Sequence, residues 1–285
     1  MKQILLGKYL QEASAGSEAE AQYTLAYYYA FGIGIKKNIK RAVKLWEMAA
    51  TQNHAGAQYR LAVCYADGFG VVPDQKVAVE LYRKAAEQGL ADAQYNLAWR
   101  YEHGNGIKRD LSQSIKWYLK AALQNDVAAQ YNLAALYDQS KAKERDSNLA
   151  IKWYRRAATQ GHLDAQYNLA VLYDSQSNYR DAVKWYRKAA LLGDAASQCN
   201  LGIAYDEGLG VKQSSTKAVN WFTKAAKQGD AKAQFNLAQC YELGEGVEKN
   251  LREAHKWYFA AAAQGHAKAQ RKLTPSFIQS ALILS

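Results

Sequence analysis

Apolar and polar positions follow one pattern that returns along nearly the whole chain. The string AQYTLA starts at Ala21, AQYRLA at Ala57, and AQYNLA at Ala93, Ala129 and Ala165; SQCNLG follows at Ser197, AQFNLA at Ala233 and AQRKL at Ala269. Successive starts lie 36 residues apart, with one interval of 32. Each unit holds two helical patterns. In the first, Ala93, Leu97, Ala98 and Tyr101 recur at i, i+4, i+5 and i+8, close to the 3.6-residue period of an amphipathic helix. In the second, Ile115, Trp117, Tyr118, Ala121 and Ala122 form a broader apolar face. Gly104-Asn105-Gly106-Ile107 links the two. A second break falls at Gly89, Gly161, Gly193, Gly229 and Gly265, with Asn53 and Asn125 at the same position in the other units. Glycine and asparagine tolerate the left-handed C-cap, so a helix is expected to end there each time.

The pattern predicts an all-α fold, a right-handed α/α solenoid (superhelix) of about seven full helix-turn-helix repeats plus partial capping repeats. A single repeat domain is expected over 1–285, with a partial N-terminal repeat over 1–20, seven repeats over 21–268 and a C-terminal capping segment over 269–285. In that last segment Ser276 is the expected helix N-cap, and Phe277, Ala281 and Leu284 the cover for the last open face.

Aromatic residues recur in register. Tyrosine stands at 29, 65, 101, 137, 173, 205 and 241, and six of the seven tryptophans (46, 117, 153, 185, 221 and 257) fall in the second helix. Repetition at one helical position marks inter-helix core. The motifs AQYNLAxxYxxGxG(V/I) and (A/S)(V/I)KWYxKAAxQG resemble those of the Sel-one-like repeat family, relatives of the tetratricopeptide repeats, over roughly residues 5–273. Units four and five depart from the family pattern: Ser140 to Arg145 replaces GxG in one, and four residues are deleted around Ser175 to Asn178 in the other. The resemblance implies a non-catalytic scaffold or adaptor, of a kind widespread in bacteria, with first helices on the concave face and second helices on the convex one.

No catalytic or cofactor chemistry is legible. The GxG strings follow helices and lack the third glycine of a dinucleotide fingerprint. The five histidines form no HExxH pair, and Cys64, Cys199 and Cys240 no CxxC pair, so buried free thiols are expected and neither metal nor cofactor. A cysteine-rich secreted branch of the family is linked to β-lactamase-like activity, but this chain lacks its cysteine pairs.

Charge adds a second possible surface. The chain carries a formal +11 with a pI near 9.3. The eleven residues ending at each AA pair hold 19 Lys/Arg against 4 Asp/Glu, whereas the twelve beginning at each AQY hold two arginines against seven acids. By the resemblance, this gives a basic convex back and a mildly acidic inner groove. The favoured reading of the back is a solvated face whose long basic side chains cover aromatic core. The alternative is nucleic-acid or anionic-membrane binding. No apolar run approaches the ~18–20 residues of a membrane span and no secretory leader is read, so a cytoplasmic monomer is expected.

Within the groove, Asn96, Asn132, Asn168, Asn200 and Asn236 form a ladder. They either grip an extended peptide backbone or bond to the neighbouring helix. Glu102, Asp138, Asp174, Asp206 and Glu242 form an acidic row. The pattern breaks in units one to three, at Tyr27, Phe31, Arg60, Trp99 and His103. Tyr27, Val63 and Trp99 are equivalent positions, as are Thr24, Arg60 and Asn96. Tyrosine, tryptophan and arginine are enriched at binding hot spots, so this cluster is the expected concave anchor for a protein or peptide partner. Arg60 is also placed to pair with Tyr27 or Trp99 by cation–π packing, and Tyr28 and Arg100 are expected at the edge of the face.

Overall fold

The computed structural model describes residues 18–139 and 146–273, which hold fifteen helices and no strand. They are α1 (Ala19–Phe31), α2 (Ile39–Thr51), α3 (Ala55–Asp67), α4 (Gln75–Glu87), α5 (Ala91–His103), α6 (Leu111–Leu123), α7 (Val127–Gln139), α8 (Ser147–Thr159), α9 (Leu163–Ser175), α10 (Tyr179–Leu191), α11 (Ala195–Glu207), α12 (Ser215–Lys227), α13 (Ala231–Leu243), α14 (Leu251–Ala263) and α15 (Ala267–Lys272). Two compact units, Met1–Arg145 and Asp146–Ser285, divide the chain. In the first, α1–α2, α3–α4 and α5–α6 are helix pairs stacked in chain order; in the second, α9–α10, α11–α12 and α13–α14 repeat the arrangement. Each is an α/α solenoid array. The Ser140–Arg145 segment, the capping residues Ser276, Phe277, Ala281 and Leu284, and all but the end of the expected N-terminal partial repeat lie outside the described residues.

Helix boundaries follow local chemistry. Second helices start at side-chain caps: Asn38 accepts from Arg41 N, Asp74 from Lys76 N and Val77 N, Asp110 from Gln113 N, and Asn250 from Glu253 N. Such a cap satisfies amide donors that the helix leaves open. Three of the five histidines cap first helices, His54, His162 and His266 accepting through Nδ1 from Ala57, Ala165 and Ala269. The expected left-handed C-terminal positions are present at Asn53 (φ 63°) and Asn125 (φ 67°) as at the glycines.

The second glycine of GxG does a different job. At Gly210 (φ 67°) an added Cβ would stand 2.5 Å from the carbonyl of Tyr179, at the start of α10 in the preceding repeat. Gly106 meets Gln75 and Gly246 meets Ser215 in the same way. Each is a seam between repeats that only glycine fits.

A ladder of buried glutamines runs through each array. The Gln of AQY donates to a carbonyl eight residues back, as Gln94 does to Ala86 at 3.1 Å. Its own oxygen accepts from the glutamine that caps the second helix. These rungs are Gln52 to Gln22 (2.9 Å), Gln88 to Gln58 (2.7 Å), Gln124 to Gln94 (2.9 Å), Gln228 to Gln198 (2.8 Å) and Gln264 to Gln234 (2.8 Å). Around this spine pack Trp46, Trp117, Trp153 and Trp185, the second-helix residues Tyr82, Tyr118, Tyr154, Tyr186, Phe222 and Tyr258, and the paired alanines.

Candidate functional site

The first helices α1, α3 and α5 carry the pattern-breaking cluster. Tyr27 and Phe31, one turn apart on α1, have ring centroids 4.4 Å apart, and Phe31 is 55% exposed. Arg60 on α3 lays its guanidinium 5.8 Å from the Tyr27 ring and 5.6 Å from that of Tyr59. Arg60 has no ion pair among the described residues, and its buried Nε has no hydrogen-bond partner there. One repeat on, Trp99 and His103 stack on each other at 4.4 Å, and His103 Nδ1 donates to the Trp99 carbonyl at 2.9 Å. Tyr27, Phe31 and Arg60 thus form one patch, and Trp99 with His103 a second. Arg100 is not at the edge of the face. It is 6% exposed, donates to Gln75 Oε1 at 2.5 Å and lies 5.3 Å from the Tyr82 ring. It fills a position that holds Cys64 in the repeat before, and so belongs to the core.

The asparagine row meets the neighbouring repeat. Asn132 donates to the hydroxyls of Tyr95 (3.3 Å) and Tyr118 (3.2 Å), and Asn168 to that of Tyr154 (3.4 Å). Asn96 donates to the Asp92 carbonyl at 2.8 Å and shares a hydrogen bond with Tyr59. Asn200 bonds with Tyr167 and Tyr186 and accepts from Lys232 at 3.3 Å. The tyrosines bond onward to the acidic row: Tyr118 donates to Glu102 at 2.9 Å and Tyr258 to Glu242 at 2.5 Å, while Tyr186 bonds Asp174. Burial, reinforced by these carboxylates, pushes the Tyr118, Tyr186 and Tyr258 hydroxyls well above the usual phenol range, so they remain donors.

Asn236 stands apart from that arrangement. In the repeat before it, the two tyrosine positions hold Cys199 and Phe222, and neither offers a hydroxyl. It lines a cavity of about 370 Å³ together with Asp206, Lys232, Gln239 and Glu245. Sequence inspection missed this, although the signal was present in register: two tyrosine positions of one unit lose their oxygen together.

Second helices present the basic residues. Lys120 lies 4.1 Å from the Trp117 ring, Lys188 4.2 Å from Trp185, Lys224 4.2 Å from Trp221 and Arg156 4.7 Å from Trp153. One turn after each tryptophan, a cation covers the ring with its stem and charge.

Cys64, Cys199 and Cys240 are buried free thiols. Burial pushes them up, Cys64 to about 11 and the other two to about 12, so none is a thiolate nucleophile near neutral pH. Among the described residues no group of three or more His, Cys, Asp and Glu is placed to hold a metal ion, and no helix is long and apolar enough to cross a membrane.

Comparison with known proteins agrees with this architecture. The Sel1 repeat matches seven times, at 19–54, 55–90, 91–126, 127–162, 163–194, 195–230 and 231–266. A protective antigen of uropathogenic Escherichia coli with an SLR fold is 33% identical at a TM-score of 0.74; the alignment covers 98% of this chain and 62% of that protein, so the chain spans less than two thirds of this relative's length. A Sel1 repeat protein from Oxalobacter formigenes is 30% identical at a TM-score of 0.63, with 84% of this chain and 96% of that one covered. No curated protein matches. Seven consecutive matches, and the helix pairs that coincide with them, show that the chain belongs to the Sel1 repeat family.

Proposed function

We propose that this protein is a non-catalytic interaction scaffold that binds a peptide segment or protein domain on the face built by its first helices. Proteins of the Sel1 repeat family are generally protein-interaction scaffolds. The observation that carries the reading is the patch of Phe31, Tyr27 and an Arg60 guanidinium without a counter-ion among the described residues, extended by the Trp99–His103 stack. Large aromatics on a solvated helix face cost hydration and return nothing to the fold, and they are the side chains that dominate hot spots. Arg60 favours a partner that brings a carboxylate or carbonyl oxygen to the same spot.

Nucleic-acid or anionic-membrane binding through the second helices is the weaker reading, because the cations there are arranged over tryptophan rings. The test is affinity capture from nuclease-treated lysate with wild type beside a Tyr27→Ala, Phe31→Ala, Trp99→Ala variant of unchanged helical content. A protein recovered only by wild type supports the anchor. Equal recovery by both sinks the assignment. Recovery that needs intact nucleic acid moves the function to the basic face.

A further inference from the structure

The junction between the sixth and seventh repeats lacks the hydroxyl that ties the acidic row to the asparagine row elsewhere. Between the third and fourth repeats, Tyr118 donates to Glu102 and accepts from Asn132. At the later junction the acid is Asp206 and the amide is Asn236, but Phe222 stands where the tyrosine would be. Its ring leans onto Gly202, where a Cβ would come within 2.5 Å of it, in a position that holds alanine in the repeats on either side. Among the described residues, neither the Asp206 carboxylate nor the Asn236 side chain has a hydrogen bond or ion pair. Both face the 370 Å³ cavity, a size within the range of small ligand sites.

Three carboxylates, Asp206, Glu207 and Glu245, line that cavity against one ammonium, Lys232, which donates to Asn200. The amide oxygens of Asn236 and Gln239 add acceptors, while Ile203 and Leu243 offer apolar surface to an aliphatic stem. The next junction shows what this geometry accepts. There the asparagine position is taken by Lys272, whose ammonium bonds both oxygens of Glu242 at 2.9 and 3.0 Å and lies 5.8 Å from the Tyr258 ring. The chain thus already seats a basic side chain against the row carboxylate one repeat further on.

We propose that the cavity between the sixth and seventh repeats is a receptor for a basic side chain, arginine or lysine, presented by a partner protein, with Asp206 as its counter-ion. The site deepens the scaffold reading, on which it rests for a protein partner, and adds a cation-selective pocket to the aromatic anchor. Asp206 and Glu207 supply the charge, and Asn236 fixes the orientation. Burial, with Glu207 alongside, raises the Asp206 carboxyl above its ordinary value, the expected state of an acid that waits for a counter-ion.

The test titrates the full chain with N-acetyl-arginine amide and with its neutral citrulline analogue, reading the side-chain amide resonances of Asn236 and Gln239. Saturable shifts with the arginine compound, weaker by about tenfold or more with citrulline and in Asp206→Asn, support the site. A Gly202→Ala, Phe222→Tyr variant, which restores the alanine and tyrosine of the other repeats, is expected to be folded and to lose the shifts. Equal shifts with both compounds, undiminished shifts in either variant, or no shift in wild type each overturn the proposal. The Tyr27→Ala, Phe31→Ala, Trp99→Ala variant is expected to bind the arginine compound as wild type does. Loss of the anchor reading and loss of this pocket are therefore separate results.

Discussion

Gln88, at the end of α4, donates its side-chain amide to Gln58 Oε1 on the paired helix α3 across 2.7 Å, thirty residues back in the same repeat. The same rung recurs along both arrays and is broken within the fifth repeat. That repeat ends its second helix with Leu192 in place of glutamine, and the buried Gln166 Oε1 is left without a donor among the described residues. Leu192 is 62% exposed, so little packing is lost by replacing it. Leu192→Gln is expected to complete the rung and stabilise the chain by about 0.5–1.5 kcal/mol. Gln58→Ala, which removes the rung from Gln88 and the bonds that Gln58 donates to the Ala50 carbonyl and Asn53 Oδ1, is expected to destabilise by about 1–3 kcal/mol. Urea titration followed by helical circular dichroism measures both; a lower midpoint for Leu192→Gln would refute the ladder as a stabilising spine.

Two glycines with positive φ are expected to respond oppositely. A Cβ added at Gly89 would meet nothing within 4 Å, and the equivalent residues Asn53 and Asn125 already adopt the conformation. Gly89→Asn is therefore expected to cost only a few tenths of a kcal/mol, about what the left-handed region costs asparagine relative to glycine. Gly210→Ala forces a Cβ onto the Tyr179 carbonyl and is expected to cost more than about 2 kcal/mol. Thermal melts of the two variants decide it.

The acidic row contains two carboxyls with opposite histories. Burial pushes Glu242 up, but the hydrogen bonds from Tyr258 and Lys272 prevail and hold it below its ordinary value. Its contribution is present above the unfolded-state pKa and is lost as the pH falls through the lower folded one. Glu242→Gln should accordingly destabilise at neutral pH, with the difference from wild type closing in acid. Asp206 is raised, so its charged form opposes folding at neutral pH. Asp206→Asn should raise the melting temperature while weakening cation binding, an opposition that a merely structural aspartate would not produce.

Removing the cations over the tryptophans separates packing from recognition. Lys120→Gln, Lys188→Gln and Lys224→Gln are each expected to cost about 0.5–1 kcal/mol of stability. The triple variant should capture the same partner as wild type at unchanged salt dependence. A partner lost from it would transfer the functional face to the second helices.

Helix number, caps and the aromatic core were legible because each depends on residues close in sequence and repeated in register. Asn53 and Asn125 could be read as left-handed caps from their alignment with glycine alone. Contacts between repeats were harder. The glutamine of AQY was visible in every unit, but its partner lies thirty residues on, at the end of the second helix of the same pair, and no local rule joins the two. Arg100 illustrates the same limit: its place one residue off the groove face suggested the edge of that face, and only the oxygen of Gln75 and the ring of Tyr82, both from the preceding repeat, explain its burial. At the candidate site, the closeness of Tyr27, Phe31 and Arg60 followed from equivalent positions on adjacent helices. The pocket at Asp206 was hidden because it is defined by an oxygen that is missing.

The glycine seams bear on how such a chain changes length over generations. The GxG turns at Gly106, Gly210 and Gly246 are pressed against the backbone of the repeat before them, whereas the caps at Gly89, Gly161, Gly193, Gly229 and Gly265 border open space. A duplication or deletion with its breakpoint in an open cap removes or adds a whole repeat and leaves every pressed turn with its proper neighbour. A breakpoint inside GxG separates the two halves of a fitted joint. Copy number can therefore drift through the caps while the joints are inherited intact, and a pocket such as that at Asp206 can arise in one copy without disturbing the others.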